Sequence, residues 1–390
     1  MPKFFYAMLL AQVICAFYLY RRFLRPLKRG GWRKKIGFVV LILAFVFLMV
    51  TPLTLRVLKL PVREPLTQLY YWIANPTIAI LVTVIFYSLF VDGTAILVRF
   101  MRRLAKSKPY DKERQRFFRQ AGQAGVLLAA SASTGLGLRQ ALAGPIVKEV
   151  RVPITGLADG LVGLRIAQLS DLHVGPMINR AYVERVVEMT NSLKADLIAL
   201  TGDFVDGSVA QLRNDVEELA KLRAPYGIFF CSGNHEFYSG IQEWMQYFKT
   251  LGFRVLENQH TVQTINGARL LIAGVHDYTA NQRNPDYMSD PDAALVGASP
   301  ADLKILLAHQ PRSCFAASKA GFDLQLSGHT HAGQFFPFSL VVRFAHPYVR
   351  GLNLHDKKMW VYVNQATGYW GPPSRLGVPA EVTLLVLERA

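Results

Sequence analysis

Cysteine is scarce in this 390-residue chain, and its three copies, Cys15, Cys231 and Cys314, are too far apart to form a motif. Cys15 lies within an apolar stretch, Cys231 ends one and Cys314 opens a helical pattern. Neither a disulfide framework nor a thiolate zinc site is therefore expected. Acidic residues are scarce in one part only. Residues 1–150 hold 23 Lys and Arg against 5 Asp and Glu, a net of +18, whereas residues 151–390 hold 21 against 22, a net of −1. The overall charge of +17 thus belongs entirely to the first part. Internal repeats and low-complexity tracts are also missing, which sets repeat architectures aside.

A basic chain invites a nucleic-acid reading, but here the charges sit between apolar stretches, as in a membrane protein, and no nucleic-acid partner is expected. Phe4–Tyr20, Ile36–Leu55 and Ile73–Val91 each approach the roughly 20 residues that cross a hydrocarbon core of about 30 Å. Tyr70, Tyr71 and Trp72 precede the third as an aromatic cluster suited to a headgroup interface. A fourth stretch, Ala121–Leu138, is uncharged but diluted by glycine. Before it, Glu113–Arg119 resembles the twin-arginine export signal, with Gln115 standing where the second arginine would be. The fourth stretch is therefore read as a span that tethers the C-terminal domain. Arg21–Lys35 holds eight basic residues, Arg56–Tyr70 three and Arg99–Arg119 nine. The positive-inside bias makes the two rich loops cytoplasmic. The chain is then an integral membrane protein of a bacterial inner or plasma membrane. Its second half lies on the extracytoplasmic face if Ala121–Leu138 spans, and in the cytoplasm if it does not. The domains expected are a membrane region over 1–145, with three or four transmembrane helices, and one α/β domain over 146–390.

In that second domain, short apolar runs alternate with amphipathic helical patterns. Asn179 and Ser208 are placed as helix N-caps, and Val183, Val186, Val187 and Thr190 recur at helical spacing. Five runs end in metal-ligand chemistry: Leu164–Leu169 before Asp171-Leu-His173, Leu197–Leu200 before Gly202-Asp203, Ile228–Cys231 before Gly233-Asn234-His235-Glu236, Ile305–Leu307 before His309, and Leu324–Leu326 before Gly328-His329-Thr-His331. Side chains at strand ends converge on one rim of a sheet. Carboxylates, imidazoles and one amide oxygen suit borderline or hard divalent cations.

This series resembles the calcineurin-like metallophosphoesterase family, and its wording looks like the membrane-associated or exported bacterial branch. The resemblance implies a four-layer αββα sandwich behind the all-α transmembrane region, and a site for two divalent cations (Mn, Fe or Zn). By the same resemblance Asp171, His173 and His331 hold one cation, Asn234, His309 and His329 the other, and Asp203 bridges them. His235 is implied to protonate the leaving group, and a metal-bridging hydroxide to attack phosphorus. Glu236 is read as a hydrogen-bond anchor, and Asp206 as structural support or a helix cap. His276-Asp277 is placed near the site without a ligand role.

The function expected is hydrolysis of a phosphate ester at a membrane, on a lipid or cell-envelope substrate, with membrane lipids as partners. Two alternatives stay open: the same hydrolysis on a soluble nucleotide or phosphoprotein, and a non-catalytic sensing protein on this scaffold. The segment Gln334–Phe344 reads either as a core strand or as an apolar ledge meeting the bilayer or an acyl chain. Arg343, Arg350 and Arg375 are available for phosphate contacts.

Overall fold

The described parts of the apolar stretches in the first part are helical. The computed structural model describes residues 2–27, 31–32, 34–45, 63–106 and 110–390, and contacts divide the chain into two units, Met1–Leu136 and Gly137–Ala390. The first expected span forms α1 (Pro2–Leu19), continued by a π-helical turn at Tyr20–Leu24. Residues 34–45 are helical (α2), and the remainder of the expected span Ile36–Leu55 lies outside the described residues. The third span sits inside α3 (Pro65–Leu104), whose 40 residues reach about 60 Å. Among the described residues, α3 is the one helix both long and apolar enough to cross a membrane. Ala121–Leu138 is helical throughout, on α4 (Lys112–Ala143).

Inside the first unit, Val84 of α3, Val126 and Ala130 of α4 and Leu19 of α1 form a small buried cluster. Polar contacts cross the same seam: the hydroxyls of Tyr87 and Ser133 lie 2.7 Å apart. On the other faces of α3, Leu89, Phe90, Ile96, Leu97 and Phe100 are exposed.

The second unit is built on two six-stranded sheets. The first runs in the order β1 (Ile146–Ile154), β12 (Glu381–Arg389), β2 (Arg165–Leu169), β3 (Leu197–Thr201), β4 (Ile228–Cys231), β5 (Arg254–Val255). The second runs β10 (Gly351–His355), β11 (Met359–Val363), β9 (Leu324–Ser327), β8 (Leu303–Leu307), β7 (Ala268–Gly274), β6 (Gln259–Ile265). The sheets face each other over one core, in which Ile166, Ala199 and Phe229 from the first meet Ile272, Ile305 and Leu326 from the second. Alternation along the strands sends the next residues outward: Leu271, Leu306 and Val361 pack under α9 (Cys314–Ala320) through Cys314 and Ala317. Strands buried on both faces are why these runs read as continuous rather than alternating apolar sequence.

The helices cover the outer faces as expected. Val183, Val186, Val187 and Thr190 are the buried stripe of α5 (Arg180–Ser192), whose N-cap Asn179 accepts a hydrogen bond from the Tyr182 amide. Ser208 caps α6 (Val209–Val216) in a capping box with Gln211. Phe204 and Phe230 pack with Phe248 of α8 (Ile241–Thr250), at ring distances of 6.4 and 4.5 Å from it. The segment after His331 is not a core strand. It folds as a 3-10 turn at His331–Gly333 and a one-turn helix α10 (Phe338–Val341), with Phe335 buried but Phe338, Leu340, Val341 and Phe344 exposed. A polar, glycine-rich entry and a proline at 337 interrupt the run before a strand register can form.

Candidate metal centre

The parallel run β2–β3–β4 and the run β7–β8–β9 point their C-terminal ends to one rim. There the loops are bound to one another through the main chain: Asp171 donates its amide hydrogen to the Gly202 carbonyl and His173 to that of Asp203, at 2.9 and 3.1 Å. Space is short where they cross. A Cβ on Gly233 would stand 2.2 Å from the Asp203 carboxylate, and one on Gly328 would stand 1.9 Å from Ser170 and 2.1 Å from the Asp171 carboxylate. Both glycines are therefore required by close approach. Asp171, His173, Asp203, His329 and His331 all have positive φ, between 48° and 69°, a conformation held only where surrounding contacts over-determine it.

Two clusters result. In the first, His331 Nε2 lies 3.1 Å from His173 Nε2 and 3.2 Å from Asp171 Oδ1. In the second, His309 Nε2 lies 3.1 Å from Asp203 Oδ2 and 3.2 Å from His329 Nδ1. Hydrogen bonds behind these rings settle the tautomers that matter. His173 Nδ1 faces Asp206 Oδ1 at 3.2 Å, His331 Nδ1 faces Gln334 Oε1 at 3.0 Å, and His309 Nδ1 faces the Thr201 carbonyl at 2.8 Å. Each partner is an acceptor, so each of these rings donates from Nδ1 and turns Nε2 into the cluster. Ring nitrogens and carboxylate oxygens crowd to 3.1–3.2 Å of one another in both clusters. A cation between them is what makes the arrangement favourable. Asn234 Oδ1 is likewise buried with no hydrogen-bond partner, as a ligand oxygen awaiting a cation would be. The residues present thus fit divalent metal.

Electrostatics agree. Burial alone would raise the Asp171 and Asp203 carboxyls, but the surrounding imidazoles hold both well below the usual carboxylate range. Burial pushes His329 down to about 3 and His331 to about 4, so both are neutral. His309 moves the other way: burial lowers it, but Asp203 and Asp171 outweigh that, and an entering cation would displace its proton.

His235, at the start of α7 (Asn234–Ser239), faces this centre without joining either cluster, its Nε2 3.9 Å from Asp203 Oδ2. Its Nδ1 stands 2.5 Å from Asp206 Oδ1, so one carboxylate oxygen receives both His173 and His235. Asp206 is consequently no helix cap; it orients two imidazoles. These three residues are close enough to be a third cation cluster, but two N–H donors already engage that oxygen. Burial lowers the His235 pKa, yet the carboxylates of Asp203 and Asp206 outweigh it and raise the value to about 9.

Some sequence expectations need correction. Arg375 is fully buried, its guanidinium donating to the carbonyls of Gln365 (2.7 Å) and Gly368, so it braces the loop and is not available to a phosphate. His276 and Asp277 are buried; Asp277 accepts from Gln310 at 2.9 Å and from Thr279 at 2.5 Å, and is structural. Three further residues stand at the rim. Gln334 accepts from His331 and from the Trp370 amide while donating to the carbonyls of Trp370 and Pro372, joining two rim loops. His346 sets its ring against His329 at 5.2 Å. Trp370, more than half exposed, lies 5.5 Å from the His235 ring.

Residues 164–333 match the Calcineurin-like phosphoesterase family. A metallophosphoesterase of Aquifex aeolicus is 34% identical over 226 residues, covering 58% of this chain and 85% of the relative. A metallophosphoesterase of Helicobacter pylori is 36% identical over 252 residues, covering 64% of this chain and 66% of the relative. A Danio rerio protein described as a transmembrane protein with metallophosphoesterase domain is 35% identical over 281 residues, covering 70% of this chain. The match spans 64% of that relative's own length. With these likenesses beside the paired clusters of the rim, the chain belongs to the calcineurin-like metallophosphoesterase family.

Proposed function

We propose that this chain is a membrane-anchored phosphoesterase that uses two divalent cations to hydrolyse a phosphate ester on a lipid or cell-envelope precursor. The observation carrying the reaction class is the inward convergence of imidazole nitrogens and carboxylates in two adjoining clusters. Asp171, His173 and His331 would hold one cation and Asn234, His309 and His329 the other, with the Asp203 carboxylate available to both. When bound, the cations neutralise the phosphate oxygens and acidify water near phosphorus. Asp206 keeps the His235 Nδ1 hydrogen occupied, so Nε2 presents its proton to the departing ester oxygen. Water adds to phosphorus and releases a proton to solvent, the P–O ester bond breaks, and that oxygen leaves as an alcohol with the proton from His235, which solvent then replaces.

Two features support a lipid substrate and a membrane location. Phe338, Leu340, Val341 and Phe344 are exposed apolar residues within one short segment that follows the His331–Gly333 turn, and they supply an apolar ledge. The helix α3 and the transmembrane description of relatives support an anchor. The basic loops favour an orientation with the catalytic domain on the extracytoplasmic face. The experiment is an assay of purified full-length protein, stripped by chelator and reloaded with Mn, Fe or Zn, against phospholipids and soluble esters. Turnover that vanishes with the chelator and returns with a cation is expected, highest on lipid esters. Hydrolysis indifferent to chelation overturns the reaction class, and turnover confined to soluble esters overturns the substrate class.

A further inference from the structure

We propose that the first unit carries a second binding site, for the phosphate headgroup of an anionic lipid, where its basic segments meet. The residues 14–26, 91–103 and 110–123 surround a cavity of about 1700 Å³. The two basic loops that sequence alone counts separately thus line one space. Nine Lys and Arg side chains face it, and among the described residues one carboxylate, Asp92. That carboxylate is already engaged, accepting from the Tyr18 hydroxyl at 2.7 Å and from the Arg22 guanidinium. So many like charges around one space favour an anion that enters it.

Arg22 marks where the anion belongs. Its side chain is 10% exposed, and its Nε hydrogen is buried with no acceptor. A buried guanidinium donor without a partner costs stability, and a phosphate oxygen matches its geometry. The rest of the wall decides the class of molecule. Ile14, Phe17, Val91, Ala95 and Val98 line the same cavity, giving an apolar channel continuous with the arginines. The volume exceeds the roughly 300–1000 Å³ of ordinary ligand pockets, enough for a headgroup and the first part of a chain. A free polyphosphate would use only the basic wall; an anionic lipid uses both. This site goes beyond the catalytic reading, because every residue of the metal centre lies in the other unit, and it rests only on the membrane reading of the helices.

Full-length protein in detergent tests it by titration with dioctanoyl phosphatidic acid, dioctanoyl phosphatidylcholine and inorganic pyrophosphate, following the unfolding temperature. Asp203→Asn is included so that lipid at the metal centre is not mistaken for the second site. Phosphatidic acid is expected to raise the unfolding temperature of the wild type and of Asp203→Asn alike, while phosphatidylcholine does not. In the Arg99→Gln/Arg116→Gln double variant the half-maximal concentration should rise roughly tenfold or more, with turnover of a soluble ester unchanged. If the double variant does not fold, Arg103→Gln serves with the same expectation. A variant that responds like the wild type, or an equal response to phosphatidylcholine, overturns the site. A pyrophosphate response as strong as that to phosphatidic acid overturns the lipid as its ligand.

Discussion

The Glu236 carboxylate accepts the main-chain hydrogen of Asp203 at 2.9 Å, so the central acid of the metal centre is positioned by a second acid that is fully buried behind it. Glu236 also accepts from Phe204 at 2.6 Å and Gly233 at 2.7 Å. One side chain thus fastens the loop after β3 to the loop after β4. Glu236→Ala leaves three buried amide hydrogens unpaired, at roughly 1–3 kcal/mol each. A lower unfolding temperature and reduced metal content are expected, by calorimetry and metal analysis. Glu236→Gln, which keeps one acceptor oxygen, should lose less. Equal stability of all three proteins would contradict the anchoring role.

Asp203 and His235 should separate cleanly. Asp203→Asn removes the charge proposed to lie between two cations, and less metal should be retained. His235→Ala should keep its metal and lose roughly 10²–10⁴-fold in rate, with a smaller loss for esters whose leaving groups depart without a proton. If the His235→Ala protein is instead empty of metal, His235 is a ligand.

Gln334 should tune the centre from behind. Removing the acceptor of the His331 Nδ1 hydrogen frees the ring to turn and switch tautomer. Gln334→Ala is expected to weaken metal binding roughly 10–100-fold, measured by competition with a chelator of known affinity. Unchanged metal affinity would reduce Gln334 to a loop tie.

The ledge divides into core and surface. Phe335→Ser should lower stability, because that ring is buried against Phe338 at 5.4 Å. Phe344→Ser, at a position 86% exposed, should leave stability unchanged and lower turnover of lipid esters more than that of a small chromogenic ester. Equal losses on both substrates would detach the ledge from substrate recognition.

Topology is open to direct measurement. A periplasm-active reporter joined after Arg151 should be active and one joined at Lys106 silent. The reverse pattern would place the catalytic domain in the cytoplasm.

The residues that gather at the rim were legible because each follows an apolar run, and a parallel strand must end near its neighbours' ends. The expected run Ile228–Cys231 is β4 itself. Glu236 was legible as a hydrogen-bond anchor and Asp206 as structural support. Which groups they hold was not, because the ring nitrogens and amides beside them, and beside Gln334, are brought there by other loops. Arg375 misled for the same reason: a charge in a loop reads as exposed unless the carbonyls that enclose it are known. For Gln334–Phe344 composition left a strand and an apolar ledge both open, and its entry backbone, with positive φ at Ala332, Gly333 and Gln334, rules the strand out.

The position of β12 bears on how the protein is made. β1, the strand that follows α4, pairs within the first sheet with β12, which also pairs with β2. Arg151 of β1 meets Glu388 of β12 across 237 residues of chain. During vectorial synthesis β1 and β2 therefore emerge early with a gap between them that only a late segment can fill. Until it arrives, two unpaired strand edges and part of the apolar interior are open to other chains. Folding of this domain should accordingly depend on holding factors that shield those edges until Glu381–Arg389 have emerged, more than on the rate at which the metal loops order themselves.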